Sequence, residues 1–155
     1  MTPAVNILKK AKIKHNIHSY DHDPKSKAYG EEAAEKLNIP FDRLFKTLVV
    51  SVDDERFMIA LVPVSRQLDL KKFVKATGSK KAKMAEKKDA ERATGYLAGG
   101  VSPLGQKKQM MTLLDISALN FDTIWVSAGR RGLQIEICPQ DLASLTHALY
   151  SEISR

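Results

Sequence analysis

Phe45-Lys46-Thr47-Leu48-Val49-Val50-Ser51-Val52 is the stretch that most clearly predicts a β-strand, because β-branched and aromatic residues dominate it. A second strand is predicted over residues 57–64, and residues 51–56 would join the two as a hairpin. Predicted helices and strands are interspersed around this hairpin, which favours a mixed sheet with helices packed around it. We therefore expect a mixed α/β (α+β) fold, with a curved mixed β-sheet or partial barrel surrounded by helices, in a single domain over residues 1–155.

The other predicted elements follow from helix caps and apolar spacing. Thr2 and Pro3 are typical of a helix start, with an N-cap followed by proline at the first helical position. Further helices are predicted over residues 31–37, 69–77 and 86–94. Pro139 starts a last predicted helix, whose buried face would hold Leu142, Leu145 and Leu149. Further strands are predicted over residues 17–20, 110–114, 123–127 and 133–137.

The composition indicates a soluble, globular protein with a polyanionic partner. Hydrophobic residues make up 43% of the chain and charged residues 28%, which is not the composition of a disordered chain. The formal net charge of +7 favours nucleic acid as that partner. The single cysteine, Cys138, excludes an internal disulfide and suits a reducing compartment. With no signal-peptide pattern and no apolar run long enough to span a membrane, we expect a cytoplasmic location.

A second informative stretch is Gly99-Gly100-Val101-Ser102-Pro103-Leu104-Gly105. Gly99 and Gly100 allow positive φ and a close approach of the backbone to a ligand, and Pro103 keeps Ser102 out of the helical region. The stretch therefore predicts a shaped loop whose backbone N–H groups line a binding site. A tight connection between two strands is the other interpretation, and it is the commoner one for glycine-rich turns.

Lys46 is the candidate functional side chain of the first strand. Alternation places it on the same face as Leu48, Val50 and Val52, which is the more apolar of the two faces. An ammonium group directed towards apolar neighbours needs a partner, so Lys46 is interpreted as a cation at the rim of a pocket that contacts a phosphate, carboxylate or carbonyl oxygen. The alternative is a lysine at a strand end whose ammonium group reaches water.

Basic residues are concentrated in two parts of the chain. Eight lysines fall within residues 71–88, where they predict either a surface that contacts a phosphodiester backbone or an ordinary solvated face. Further cations lie beside the two glycine-bearing loops. The residues that we expect to contact the backbone of a nucleic acid are Lys80, Lys81, Lys83, Lys107, Lys108, Arg130 and Arg131.

The chain shows no pattern that predicts a metal, a cofactor or an enzyme nucleophile. Ser102 lacks the G-x-S-x-G elbow, and Cys138 is better explained by apolar packing beside a strand. His15, His18 and His22 fall in a predicted strand and loop, with no cysteine pair or acidic cluster to complete a metal site. We therefore expect no metal and no cofactor.

Together these features resemble the YbaK-type bacterial aminoacyl-tRNA deacylases that act on Cys-tRNA(Pro), freestanding relatives of the editing domain inserted in bacterial prolyl-tRNA synthetase. The resemblance runs over essentially the whole chain, and the combination of motifs is highly specific although each one alone is weak. The segments that carry it are Met1-Thr2-Pro3-Ala4, Tyr20-Asp21-His22-Asp23-Pro24, Phe45-Lys46-Thr47-Leu48, Leu68-Asp69-Leu70-Lys71-Lys72, Thr94-Gly95-Tyr96-Leu97, residues 99–108 and Arg131-Gly132-Leu133.

The resemblance implies hydrolysis of the ester between a misattached amino acid and the terminal ribose of tRNA. It implies that Lys46 is the essential lysine of the pocket and that residues 99–103 form the G-x-x-x-P substrate loop. The residues expected to bind substrate are Tyr20, Tyr29, Gly99, Gly100, Val101, Ser102, Pro103, Ser127 and Gly129. From the residues alone, Tyr20 and Tyr29 would flank the 21–28 loop and stack on a base or ribose, or be ordinary half-buried tyrosines.

Two residues depart from the family pattern. Tyr29 stands where close relatives often have phenylalanine, which adds a hydroxyl near the pocket. Ala128 stands where they often have glycine, so the second loop must have a different shape if that position needs positive φ.

The resemblance also implies chemistry without an enzyme nucleophile. The thiol of the substrate cysteine would attack its own ester carbonyl and release a cyclic thiolactone, while the protein supplies positioning and charge stabilisation. Prolyl-tRNA synthetase is implied as a transient partner that selects tRNA(Pro), and this domain would take the acceptor end. A non-catalytic tRNA-binding module and a small-molecule ester hydrolase remain as alternatives.

Overall fold

A computed structural model describes residues 1–155, with five α-helices and eight strands. The helices are α1 (Pro3–Ala11), α2 (Tyr29–Lys36), α3 (Leu70–Thr77), α4 (Lys87–Thr94) and α5 (Pro139–Thr146). The strands are β1 (His15–Ser19), β2 (Phe45–Val52), β3 (Arg56–Pro63), β4 (Ala82–Met84), β5 (Thr112–Asp115), β6 (Ile124–Ser127), β7 (Leu133–Ile137) and β8 (Leu149–Ser151). None of the helices has the length and apolar character needed to cross a lipid bilayer.

Two sheets form the scaffold, and they do not close into a barrel. The larger sheet has the strand order β4-β2-β3-β5-β8 and is mixed, and the smaller sheet, β1-β7-β6, is antiparallel. The predicted hairpin is confirmed, because β2 and β3 are antiparallel with Lys46 opposite Val62. An isolated parallel bridge between Leu44 and Trp125 holds the start of β2 beside β6. The expected mixed class is thus confirmed, with the sheet divided in two.

The strand β2 is covered on both faces, which explains its nearly continuous apolar sequence. Phe45 and Val49 pack into the larger core cluster, together with residues of α1 and of the smaller sheet. Val50 and Val52 pack on the opposite face, where they meet Phe73 of α3. Lys46, Thr47 and Leu48 at the start of the strand, and Ser51 near its end, remain partly accessible.

Local signals start and end the helices as the sequence predicts. Thr2 caps α1 by accepting a hydrogen bond from the Val5 N–H at 3.3 Å, and its hydroxyl also donates to the Ala128 carbonyl at 2.5 Å. Asp69 caps α3 by accepting from two backbone N–H groups, and Gly78 ends α3 with a φ of +70°. The Thr2 contact ties the start of α1 to the end of β6, close to the site described below.

Two short strands and the end of α5 differ from the prediction. The strands β4 and β8 have three residues each, too few for a periodic pattern, and they form by pairing with β2 and β5. Helix α5 ends at Thr146 because His147 adopts a left-handed φ of 58°. Leu149 therefore lies in β8 and is 58% exposed, so the prediction that it belongs to the buried face of a helix is wrong.

Candidate active site

A cleft of about 280 Å³ opens where the starts of α2 and β2 meet the glycine loop. We call it the Lys46 cleft, and its lining includes Tyr29, Lys46, Gly99, Val101 and Ser127, all of which the sequence analysis singled out. These five residues come from four separate parts of the chain. The fold therefore brings the predicted lysine, the predicted loop and two predicted pocket residues to one place.

Lys46 lies at the wall of this cleft and is half-buried. Its ammonium group forms no salt bridge and no hydrogen bond with the protein. The neighbouring Thr47 hydroxyl is buried and also has no hydrogen-bond partner. The Lys46 ammonium group, held at the start of a strand without a protein partner, is available to an oxygen of a bound ligand.

The glycine loop is held rigidly by its own contacts. The buried Ser102 hydroxyl accepts a hydrogen bond from the Leu104 N–H at 3.3 Å, and the Tyr96 hydroxyl donates to the Leu104 carbonyl at 2.6 Å. Gly99 and Val101 line the cleft, and neither N–H group donates a hydrogen bond within the protein. The loop thus offers two backbone donors on the same cleft as Lys46.

A stacked pair closes one side of the cleft. The Arg131 guanidinium lies over the Tyr29 ring, 4.3 Å from its centroid, and donates to the Tyr29 hydroxyl at 2.8 Å. Arg131 Nε also donates to the Ala98 carbonyl at 3.0 Å. The hydroxyl by which Tyr29 departs from phenylalanine is therefore engaged by Arg131. The pair joins α2 to the glycine loop.

Gly99 is required at the centre of this wall. Its φ is +85°, and a Cβ at this position would lie 2.6 Å from Arg131 Nε and 2.9 Å from the Tyr29 ring. Gly100 is equally constrained, because a Cβ there would lie 2.7 Å from the Cα of Arg130. The glycine loop and the turn between β6 and β7 thus pack backbone against backbone.

The remaining predicted substrate residues lie outside the Lys46 cleft. Tyr20 is half-buried, and burial raises the pKa of its hydroxyl above its ordinary value of 10.0. Ser102 and Pro103 are buried in the loop. Gly129, with a φ of +108°, packs against Tyr96.

Ala128 does not adopt a positive φ. It is fully buried and is absent from the residues with positive φ, which include its neighbour Gly129. The left-handed residue of the second loop is therefore Gly129, one position after Ala128.

The predicted tRNA-contacting residues divide into separate groups. Lys81 and Lys83 form salt bridges with Asp54, at 2.7 and 3.6 Å, and with Lys80 they lie beside β4. Lys83 pairs with Ser51, five residues along β2 from Lys46, which is a separation of about 17 Å. Arg130 and Arg131 lie next to the Lys46 cleft, and the exposed Lys107 and Lys108 follow the glycine loop.

Sequence reasoning missed two polar residues near the cleft. Gln134 lines it, is 7% exposed and has a side-chain carbonyl without a partner. Gln134 alternates with the apolar Leu133, Ile135 and Ile137, and no local signal shows that it is buried and lines a cleft. Glu32 is also buried, and it accepts hydrogen bonds from His22 Nδ1 at 2.6 Å and from the Asp23 N–H at 2.9 Å.

No group of three or more histidine, cysteine, aspartate or glutamate side chains is arranged to hold a metal ion. Cys138 is half-buried next to α5, and its thiol donates to the Gln140 side chain at 2.8 Å. The site therefore consists of a lysine, backbone donors, an aromatic wall and hydroxyl groups. This arrangement can bind and orient an acyl group and stabilise negative charge on its oxygen.

Comparisons with known proteins agree on one family. A family model of the aminoacyl-tRNA editing domain matches residues 23–145. EbsC of Enterococcus faecalis (strain ATCC 700802 / V583), named as a proposed Cys-tRNA(Pro)/Cys-tRNA(Cys) deacylase, is 46% identical over 124 residues, which cover 80% of this chain and 76% of EbsC. The proline–tRNA ligase of Thermosipho africanus (strain TCF52B) is 35% identical over 78 residues, 50% of this chain and 14% of the ligase.

Solved structures share the fold at low sequence identity. A structure described as a proposed trans-editing enzyme for prolyl tRNA synthetase superposes with a TM-score of 0.82 at 22% identity, over 100% of this chain and 98% of that one. The hypothetical protein APE2540 superposes with a TM-score of 0.88 at 20% identity, over 99% of this chain and 100% of that one. With the family match over most of its length, the chain belongs to the aminoacyl-tRNA editing domain family.

Proposed function

We propose that this protein is an aminoacyl-tRNA deacylase that edits in trans and clears Cys-tRNA(Pro). Membership of the editing-domain family and the 46% identity to EbsC support this activity. The observation that carries the proposal is the Lys46 cleft, in which a half-buried ammonium group without a protein partner shares a small cavity with two unengaged N–H groups of the glycine loop.

Each cleft residue has a role that its position supports. Lys46 contacts the ester carbonyl oxygen and stabilises the negative charge that develops there, and the N–H groups of Gly99 and Val101 are the further donors. The Tyr29 ring forms the wall against the acyl group, and Ser127 supplies a hydroxyl at the end of β6. The protein thereby orients the ester without forming a covalent bond to it.

The substrate supplies its own nucleophile in this proposal. The cysteinyl sulfur attacks the ester carbonyl, the bond from that carbonyl carbon to the ribose oxygen breaks, and the thiol proton passes to the ribose hydroxyl that leaves. The product is a cyclic thiolactone, which water opens to cysteine. An ester whose side chain lacks a thiol cannot follow this route, so the chemistry itself protects correctly charged Pro-tRNA(Pro).

The acceptor end of tRNA is the part of the substrate that this small domain contacts. Arg130 and Arg131 lie next to the cleft and would contact the end of the strand, whereas Lys80, Lys81, Lys83, Lys107 and Lys108 would contact a more distant part. We propose prolyl-tRNA synthetase as a transient partner that supplies recognition of tRNA(Pro). The similarity to a segment of bacterial proline–tRNA ligases supports this choice.

The test is discharge of a matched panel of substrates, Cys-tRNA(Pro), Ser-tRNA(Pro) and Pro-tRNA(Pro), by the purified protein with and without the synthetase. Serine differs from cysteine by one atom, so the pair isolates the thiol. We expect discharge of Cys-tRNA(Pro) to exceed that of Ser-tRNA(Pro) by about 100-fold, the size of a proximity effect of a few kcal/mol.

Other outcomes separate the alternatives. Equal discharge of the cysteinyl and seryl esters contradicts substrate assistance and leaves a general deacylase. Salt-sensitive binding of tRNA without discharge of any ester contradicts the enzyme and indicates a binding module. Discharge of simple cysteine esters as fast as of Cys-tRNA(Pro) indicates a small-molecule hydrolase.

A further inference from the structure

A second and larger cavity lies directly behind the wall of the Lys46 cleft. Its volume is about 590 Å³, and its lining includes Lys87 and Glu91 of α4 as well as Leu97, Gly100 and Arg130. We call it the Arg130 groove. Gly99 lines the cleft whereas its neighbours Ala98 and Gly100 line the groove, so a single thickness of backbone separates the two cavities.

The groove carries an excess of positive charge. Lys87, Arg130 and Arg131 line it, against one carboxylate, Glu91. That carboxylate is engaged, because it accepts a hydrogen bond from the Ala98 N–H at 2.8 Å. Lys87 and Arg130 are exposed and form no salt bridge within the protein. Two cations without a salt-bridge partner, beside a carboxylate that already accepts a hydrogen bond, favour an anionic ligand.

The two arginines of the groove differ in whether their guanidinium groups have hydrogen-bond partners in the protein. The Arg131 guanidinium is held at the wall of the cleft, because it donates hydrogen bonds to the Ala98 carbonyl and the Tyr29 hydroxyl. Arg130 has no side-chain hydrogen bond, but its backbone is held against Gly100, where a Cβ would approach it to 2.7 Å. The backbone contact fixes the base of the Arg130 side chain at the groove while its guanidinium remains available.

The size of the Lys46 cleft indicates what must occupy the groove. At about 280 Å³ the cleft is smaller than the range of about 300 Å³ and above that is typical of pockets for whole ligands. It has room for an aminoacyl group but not for that group together with several nucleotides of the acceptor end. The chain of the acceptor end must therefore leave the cleft, and the nearest basic surface beyond the wall is the Arg130 groove.

Resting on the proposed function, we infer that the Arg130 groove binds the phosphodiester between the penultimate nucleotide and the terminal adenosine, through Lys87 and Arg130. Leu97 is 75% exposed at the same groove and offers an apolar contact to the penultimate base. The lysines beside β4 do not line this groove, and Lys81 and Lys83 form salt bridges with Asp54.

The experiment compares two minimal substrates that differ by this phosphate and its nucleoside, cysteinyl-adenosine and cysteinyl-cytidylyl-adenosine. The kcat/KM of each is measured for the wild type and for Lys87→Ala/Arg130→Ala, after subtraction of spontaneous hydrolysis. A charge-assisted contact of this kind makes the wild type prefer the dinucleotide by about 10-fold or more. In the double variant most of this preference is lost, and only the part that the Leu97 contact supplies remains.

Matched controls separate a local contact from net charge and from folding. Lys14→Ala/Lys75→Ala removes the same charge at two exposed positions outside both cavities, and the preference for the dinucleotide remains. Arg130→Lys in place of Arg130→Ala retains most of the preference, which a misfolded turn would not. Thermal melting shows whether each variant is folded.

Two results would overturn the inference while the proposed function stands. One is a wild type that hydrolyses both substrates with equal kcat/KM, and the other is a double variant that keeps the full preference. If the wild type hydrolyses neither substrate, discharge of Cys-tRNA(Pro) itself decides the proposed function. The dissociation constants of adenosine and cytidylyl-adenosine then decide the inference, which requires tighter binding of the dinucleotide that Lys87→Ala/Arg130→Ala abolishes.

Discussion

At the scale of single residues, the sequence predicted which strand face Lys46 occupies but not what surrounds its ammonium group. Strand alternation predicted that it shares a face with Val50 and Val52, and both of those are buried together on one face of β2. The same alternation left open whether the ammonium group reaches water or a pocket. Only the glycine loop, more than fifty residues away in the chain, turns this strand end into the wall of a cleft.

The Arg131–Tyr29 pair could not be predicted, because the two residues are 102 positions apart and neither has an unusual local pattern. The Tyr29 departure from phenylalanine was visible in the sequence, but not the partner of its hydroxyl. Arg131 was expected to contact tRNA; it is exposed, and its guanidinium also binds Tyr29 and the Ala98 carbonyl at the cleft wall.

Gly99→Ala tests this wall. The change adds a Cβ 2.6 Å from Arg131 Nε at a φ of +85°, so the Arg131–Tyr29 pair must move. We expect the backbone strain to cost about 1–2 kcal/mol of stability and kcat/KM for Cys-tRNA(Pro) to fall about 10- to 100-fold. Discharge kinetics and urea unfolding measure the two effects.

Gly78→Ala is the matched control, because Gly78 has a φ of +70° but no atom within 4 Å of its Cβ. It carries similar backbone strain at the end of α3, outside the cleft, and should lower stability with little change in kcat/KM. If Gly99→Ala and Gly78→Ala have the same kcat/KM, the wall does not position the substrate.

At the scale of elements, the bounds of helices with capping signals were predicted well. Short strands that form only by pairing with a neighbouring strand were not predicted. Helix α3 has both a side-chain N-cap at Asp69 and a left-handed glycine at its end, and its predicted bounds agree with the structure to within a residue. The strand β4 has neither signal. Its three residues, two of them exposed, become a strand only because β2 offers an edge.

The loop before α2 is held by one buried carboxylate. Burial raises the pKa of the Glu32 carboxyl, but hydrogen bonds from His22, from the Asp23 N–H and from Lys36 outweigh burial and lower the pKa from its ordinary value of 4.5. A carboxyl with a lowered pKa stabilises the fold above that ordinary value, and its contribution is lost as the pH falls towards the pKa of the folded state.

Glu32→Gln should remove this dependence. At neutral pH we expect the variant to be less stable by about 1 kcal/mol, the order of one hydrogen bond. As the pH falls below 4.5, the wild type loses this advantage and the two urea unfolding curves converge. Glu35→Gln, on the exposed side of the same helix, is the control. A difference between wild type and Glu32→Gln that stays constant with pH would contradict the account.

At the scale of the whole molecule, composition and interspersed elements were enough to predict a mixed α/β domain. The division into two sheets was not predictable, because it depends on pairings such as β1 with β7 and β3 with β5, which join distant segments. The net charge of +7 correctly pointed to basic surfaces but not to their places. Asp54 forms salt bridges with two lysines of the lysine-rich surface, whereas the Arg130 groove has cations without a salt-bridge partner.

The most direct measurement is the rate of cysteine release from Cys-tRNA(Pro) by the wild type and by Lys46→Ala, with Lys25→Ala as an exposed control of equal charge change. If the half-buried ammonium group stabilises the developing charge, Lys46→Ala lowers kcat by about 100-fold or more while its melting temperature stays near that of the wild type. A folded Lys46→Ala variant that discharges Cys-tRNA(Pro) at the wild-type rate would contradict the account.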